Sequence, residues 1–99
     1  MAAYLIGDIE VLDAEGFEDY RAQVPAVIAA HGGSYKVRGG AIEVLEDDWK
    51  PNRCVILEFP DMAMLKAFYT SPAYAPLLAL RMKCTRSKII AVEGYQPQR

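Results

Sequence analysis

No run in the chain approaches the roughly 18 consecutive apolar residues of a membrane-spanning helix. Met1-Ala2-Ala3-Tyr4-Leu5-Ile6-Gly7-Asp8 lacks the basic segment that opens a signal peptide, so a cytoplasmic protein is expected. Two cysteines, Cys54 and Cys84, are too few for a disulfide scaffold. They are expected to stay reduced and to serve as small buried hydrophobes. A single histidine, His31, excludes a histidine cluster, and no carboxylate stands at ligand spacing beside it. Neither a metal nor another cofactor is expected. Phosphate loops of the G-x-G-x-x-G or G-K-[ST] type are absent. A net charge of −2 leaves no overall basic field, so nucleic acid and membrane surfaces are not expected partners.

What is present suits one small core. Apolar residues make up 53% of the chain and charged residues 24%, which places it among globular proteins. One domain over residues 1–96 is expected, with a polar tail at 97–99. Residues 3 to 12 alternate, with Ala3, Leu5, Gly7, Ile9 and Val11 on one face and Tyr4, Ile6, Asp8 and Glu10 on the other. Asp13 suits an N-cap, and Phe17, Tyr20, Val24, Val27 and Ile28 follow at helical spacing. Pro25 should kink that helix, and Gly32-Gly33 should end it. A second strand is predicted over 34–38, with Tyr35 and Val37 on one face and Lys36 and Arg38 on the other. A bulge at Gly39-Gly40 should interrupt it before it resumes over 41–46. A turn over 47–52 leads to a third strand, 54–59, whose core face is Val55, Leu57 and Phe59. Asp61 caps a second helix carrying Met62, Leu65, Phe68 and Tyr69. Ser71-Pro72 starts a further helical turn, and a last strand runs from Lys88 to Tyr95.

The order β-α-β-β-α-β predicts an α+β, ferredoxin-like protomer with an antiparallel sheet in the order 4-1-3-2. Charge supports it, because that order sets the acidic first strand beside the basic last one. The helices cover one face of the sheet. The other is expected to present Tyr4, Ile6, Cys54, Ile56, Ile89 and Ala91. Three isoleucines in a row, each worth about 1.5–3 kcal/mol when buried, predict association of two copies through this face. Trp49 is expected to anchor the hairpin turn.

Five segments in order, His31-Gly32-Gly33, Arg38-Gly39-Gly40, Trp49-x-Pro51-x-Arg53, Glu58-Phe59-Pro60 and Ser71-Pro72-x-Tyr74, resemble the family called domain of unknown function 1330. The resemblance spans almost the whole chain. It implies a ferredoxin-like protomer pairing into a dimeric α/β barrel, and it implies no particular chemistry. Asp47-Asp48 departs from the pattern, which leads one to expect a glycine in that pair. Ser34 stands where a longer polar residue is usual.

His31 can act as acid or base near neutral pH, or it can end the first helix where its cation meets the dipole. Arg38 and Glu58, expected on the open sheet face, can form an anion clamp with an acid or base, or an interface ion pair. Asp8 can join either network. Tyr74 and Arg81, seven residues apart on the last helix, can line a pocket between helix and sheet together with Tyr69, or simply pack there. Two functions follow. One is a homodimer binding a small anionic or phenolic molecule between sheet and helices. The alternative is a cofactor-independent enzyme, monooxygenase- or isomerase-like, in which His31 moves protons, Arg38 holds the anion and Glu58 orients them.

Overall fold

The computed structural model describes residues 1–97. Its elements are β1 (Ala3–Val11), α1 (Ala14–Ala30), β2 (Ser34–Arg38), β3 (Cys54–Phe59), α2 (Met62–Tyr69), α3 (Ala75–Cys84) and β4 (Thr85–Glu93). The four strands form an antiparallel sheet in the order β2-β3-β1-β4, the expected 4-1-3-2 read from its other edge. The protomer is α+β and ferredoxin-like, with the second helical region divided into α2 and α3.

The local chemistry explains the boundaries. Asp13 accepts the Gly16 amide at 3.4 Å and opens α1. At its other end Gly32, at φ +76°, reverses the chain. The Gly32 amide donates to Ala29 and the Gly33 amide to Ile28, which satisfies two terminal carbonyls in a Schellman arrangement. Asp61 accepts the Met64 amide at 2.8 Å and caps α2. The Ser71 hydroxyl donates to the Phe68 carbonyl and accepts from the Tyr74 amide, so residues 71–74 form a turn and α3 starts at Ala75. Ala3, Leu5, Val24, Ile28, Leu57, Phe59, Leu65, Phe68 and Leu77 are buried between the helices and one sheet face. The acidic and basic strands meet as expected. Glu10 lies opposite Arg86, with an ion pair at 3.4 Å, and Asp8 opposite Lys88.

Besides the last strand, which runs from Thr85 to Glu93 rather than from Lys88 to Tyr95, four expectations need correction. Residues 41–46 form no strand; they belong to a loop in which Leu45 is 91% exposed. Trp49 is 75% exposed, so it is not a buried anchor of the turn. In β4 the facing is shifted by one residue. Gly7 pairs with Ile89 and Ile6 with Ile90, so Ile89 and Ala91 take the helix side while Ile90 and Val92 take the open face. The run Ile89-Ile90-Ala91-Val92 is apolar in both phases, so alternation cannot choose, and packing decides. Ile89 occupies the space that Gly7 leaves, since a Cβ on Gly7 would lie 2.8 Å from its Cδ1. The open face still carries an isoleucine stripe, Ile56, Ile6 and Ile90, extended by Val37.

The fourth correction concerns Arg38. The register shifts between Tyr35 and Val37, earlier than the expected bulge at Gly39-Gly40. Val37 pairs with Ile56 and so shares the open face, while Arg38 pairs with Val55 and turns to the helix side. The expected Arg38–Glu58 pair therefore does not form. Glu58 bonds instead to the Tyr4 hydroxyl at 2.8 Å and to Lys36 at 3.4 Å. In the long loop, Asp47 is left-handed at φ 63°, within the pair where the family pattern suggests glycine. Asp8 holds this loop by accepting the Asn52 amide at 2.8 Å.

Candidate functional site

A cavity lies between the sheet and the helices. About 40 Å³ of it is open to the centre of a water-sized sphere. Adding the sphere's own radius gives a molecular volume of roughly 150–200 Å³, comparable to the space that holds a benzene ring. Leu5, Val24, Ile28 and Leu57 form apolar walls, together with Ile89 where it fills the space beside Gly7. Four arginines (Arg21, Arg38, Arg53, Arg81) and four tyrosines (Tyr20, Tyr35, Tyr69, Tyr74) supply the polar groups. Among the described residues no carboxylate and no imidazole lines it.

The polar groups fall into two clusters. In the inner one, the Tyr20 and Tyr74 hydroxyls bond to each other at 2.8 Å, and Arg81 Nε donates to the Tyr74 oxygen at 3.4 Å. Tyr74 packs on Phe68, 4.4 Å away between ring centroids, and on Tyr69, 5.8 Å away. Burial, with Tyr74 beside it, pushes the Tyr20 phenol far above its ordinary range, so it stays protonated. Arg81 is 4% exposed, and among the described residues it has no carboxylate partner. Burial alone would pull its pKa down. The Tyr74 hydroxyl and the neighbouring phenols outweigh that, so it stays charged.

The second cluster joins Arg21, Arg38, Arg53 and Tyr35. The Arg38 guanidinium lies 4.5 Å from the Tyr35 ring centre and donates to the Arg21 carbonyl at 3.3 Å. That carbonyl is free because Pro25, four residues on, has no N–H to give it. Arg53 lies 5.4 Å from the Phe17 ring centre and packs against Gly39 so closely that a Cβ there would collide with it. Burial lowers the Arg53 pKa, and repulsion from Arg21 and Arg38 lowers it further. The Nε groups of Arg21 and Arg53 are buried with no hydrogen-bond partner. A buried donor left unpaired costs about 1–3 kcal/mol, more when charged. The arrangement can hold an anion and stabilise negative charge on oxygen.

Of the residues singled out in the sequence, Arg38, Tyr69, Tyr74 and Arg81 converge on this cavity, and His31 and Glu58 do not. His31 ends α1. Its Nδ1 donates to the Val27 carbonyl at 2.9 Å and its ring meets Phe68 edge-on. Glu58 sits on the opposite sheet face. Arg21, Arg53, Tyr20 and Tyr35 were not singled out as site residues, yet pattern could have found the arginines. Arg53 shares the parity of Val55 and Leu57, and Arg21 sits at helical spacing from Phe17, Val24 and Ile28.

A family model described as a domain of unknown function (DUF1330) matches residues 2–95. No curated protein matches the chain. Among solved structures, a protein of unknown function from Rhodopseudomonas palustris is similar at TM-score 0.75 and 16% identity, covering 97% of this chain and 84% of that one. A dimeric ferredoxin-like protein of unknown function from Jannaschia sp. CCS1 is similar at TM-score 0.73 and 16% identity, over 95% and 100%. SnoaB, a cofactor-independent oxygenase from Streptomyces nogalater, is similar at TM-score 0.62 and 13% identity, over 97% and 95%. At such identities the likeness is one of fold.

Proposed function

The chain belongs to the DUF1330 family, and from that premise and the chemistry of the cavity we propose that it is a homodimer, paired through the open sheet face, that binds a small anionic or phenolic molecule between sheet and helices. The observation that carries the binding role is Arg53, whose buried Nε has no hydrogen-bond partner and whose guanidinium has no carboxylate partner among the described residues. An unpaired buried donor costs about 1–3 kcal/mol, more when charged, which an anionic ligand offsets. Dimerisation is supported by the isoleucine stripe and by the exposure of Ile90, Leu45 and Trp49. A dimeric relative of the same fold is consistent with it.

The alternative, an enzyme with His31 as acid or base and Arg38 as anion clamp, needs both groups in one space. They are apart, and burial raises the Tyr20 and Tyr35 phenols, which holds them protonated rather than ready to accept a proton. Binding is therefore the reading we adopt. Thermal unfolding with benzoate and with neutral benzamide tests it. Benzoate should raise the midpoint of the wild-type protein and benzamide should not. Arg53→Gln, which removes the charge and keeps a polar side chain, should diminish the benzoate response. Equal responses to both compounds, or to neither, would refute the anion site.

A further inference from the structure

The two polar clusters differ in what they can offer a ligand. At the inner end the Tyr74 oxygen already engages Tyr20 and accepts from Arg81 Nε. Whichever phenol donates in the Tyr20–Tyr74 bond, the pair spends one of its two hydroxyl protons on itself and keeps one. That end therefore presents one phenolic donor beside a guanidinium, which suits a single oxygen carrying partial or full negative charge. At the other end the unpartnered Nε of Arg21, whose Nη1 already donates to Glu18 at 2.9 Å, and that of Arg53 stand with the Arg38 guanidinium, which suits the two oxygens of a carboxylate. Between the ends the walls are apolar, in a space about one ring across.

From this, resting on the proposed binding role, we propose that the ligand is a two-headed planar acid: a carboxylate on a ring or conjugated system that also carries a phenolic or enolic hydroxyl. The three-arginine cluster takes the carboxylate, and the Tyr20–Tyr74–Arg81 group takes the hydroxyl oxygen. Phe17 and Phe68, which also line the cavity, suit a flat conjugated body.

Calorimetric titration of the full chain with benzoate, phenol, 3-hydroxybenzoate and 4-hydroxybenzoate separates the two heads. The better hydroxybenzoate should bind about tenfold tighter than benzoate, the value of one good hydrogen bond to a charged or strongly polar group. Tyr74→Phe should remove that preference, read as the ratio of hydroxybenzoate to benzoate affinity within the variant. Tyr20→Phe, at the other phenol of the pair, should reduce it and guards against misfolding of the first variant. Arg53→Gln should weaken benzoate and both hydroxybenzoates but not phenol. If wild-type protein binds benzoate as tightly as the hydroxybenzoates, or if neither tyrosine variant alters the preference, the two-headed ligand is wrong while the anion site stands. If no acid binds at all, both fall.

Discussion

Two residues outside the ordinary pattern show how single side chains set the cavity and the open face. Gly39, at φ +73°, leaves room for the Arg53 guanidinium where a Cβ would collide. Gly39→Ala should destabilise the protein by about 1–2 kcal/mol, the cost of a left-handed non-glycine residue, and should weaken benzoate binding by displacing Arg53. Urea unfolding and titration of the same sample check both effects. On the open face, the Tyr4 hydrogen bond, helped by Lys36, holds the Glu58 carboxyl below the usual carboxylate range. A carboxyl depressed in the folded state adds stability above its unfolded pKa, near 4.3, and that stability is lost as pH falls through the lower folded value. The stability gap between wild type and Glu58→Gln should therefore be constant near neutrality and close below about pH 4. Tyr4→Phe should bring the Glu58 pKa back up, which carboxyl-carbon NMR titration would record.

The elements carry a second layer of cause. Pro25 in α1 takes an N–H away from the Arg21 carbonyl, and the guanidinium of Arg38 on β2 fills the place. Stability is given up in the helix to fasten an arginine at the cavity. Pro25→Ala should restore the helical hydrogen bond and raise stability, by up to the ~3 kcal/mol an interior proline costs. It should also loosen Arg38 and weaken benzoate binding a few-fold, so melting point and affinity should move in opposite directions. The irregularity in β2 has the same consequence for facing. Alternation read straight through 34–38 puts Arg38 beside Glu58, whereas one unpaired residue turns it to the helices. That shift has no composition signature, since Lys36 and Arg38 are equally polar, so the sequence places the strand but not its last side chain. β1 and β3 were legible because their two faces differ sharply. β4 was not, because four consecutive apolar residues satisfy either phase.

Across the molecule, the order of elements, the sheet order and the apolar open face were readable from periodicity and charge, because each rests on many residues at once. The cavity was only partly readable. Tyr69, Tyr74 and Arg81 lie near one another in sequence, but Arg21, Arg38 and Arg53 come from a helix, a strand edge and a loop that only the folded chain brings together. The five family segments divide accordingly. Gly33 packs against Phe59 and Gly32 against Pro60, which makes those two segments packing partners. Arg38, Arg53 and Tyr74, from the other three, meet at the cavity. The open face makes its own prediction. Ile90→Lys places a charge at the end of the isoleucine stripe, twice in a symmetric pair. It should weaken self-association by about 100-fold or more, given 1.5–3 kcal/mol per buried isoleucine. Sedimentation of wild type should show a dimer at micromolar concentration and the variant a monomer; a wild-type monomer would end the proposed assembly.

The most direct measurement concerns the cavity itself. Arginine Nε–H resonances can be followed by NMR as benzoate is added to the wild-type protein. The signals of Arg21, Arg38 and Arg53 should shift together along one saturable curve, with those of Arg86, exposed on β4, unmoved. A flat response at Arg21, Arg38 and Arg53, or an equal drift at Arg86, would contradict the account.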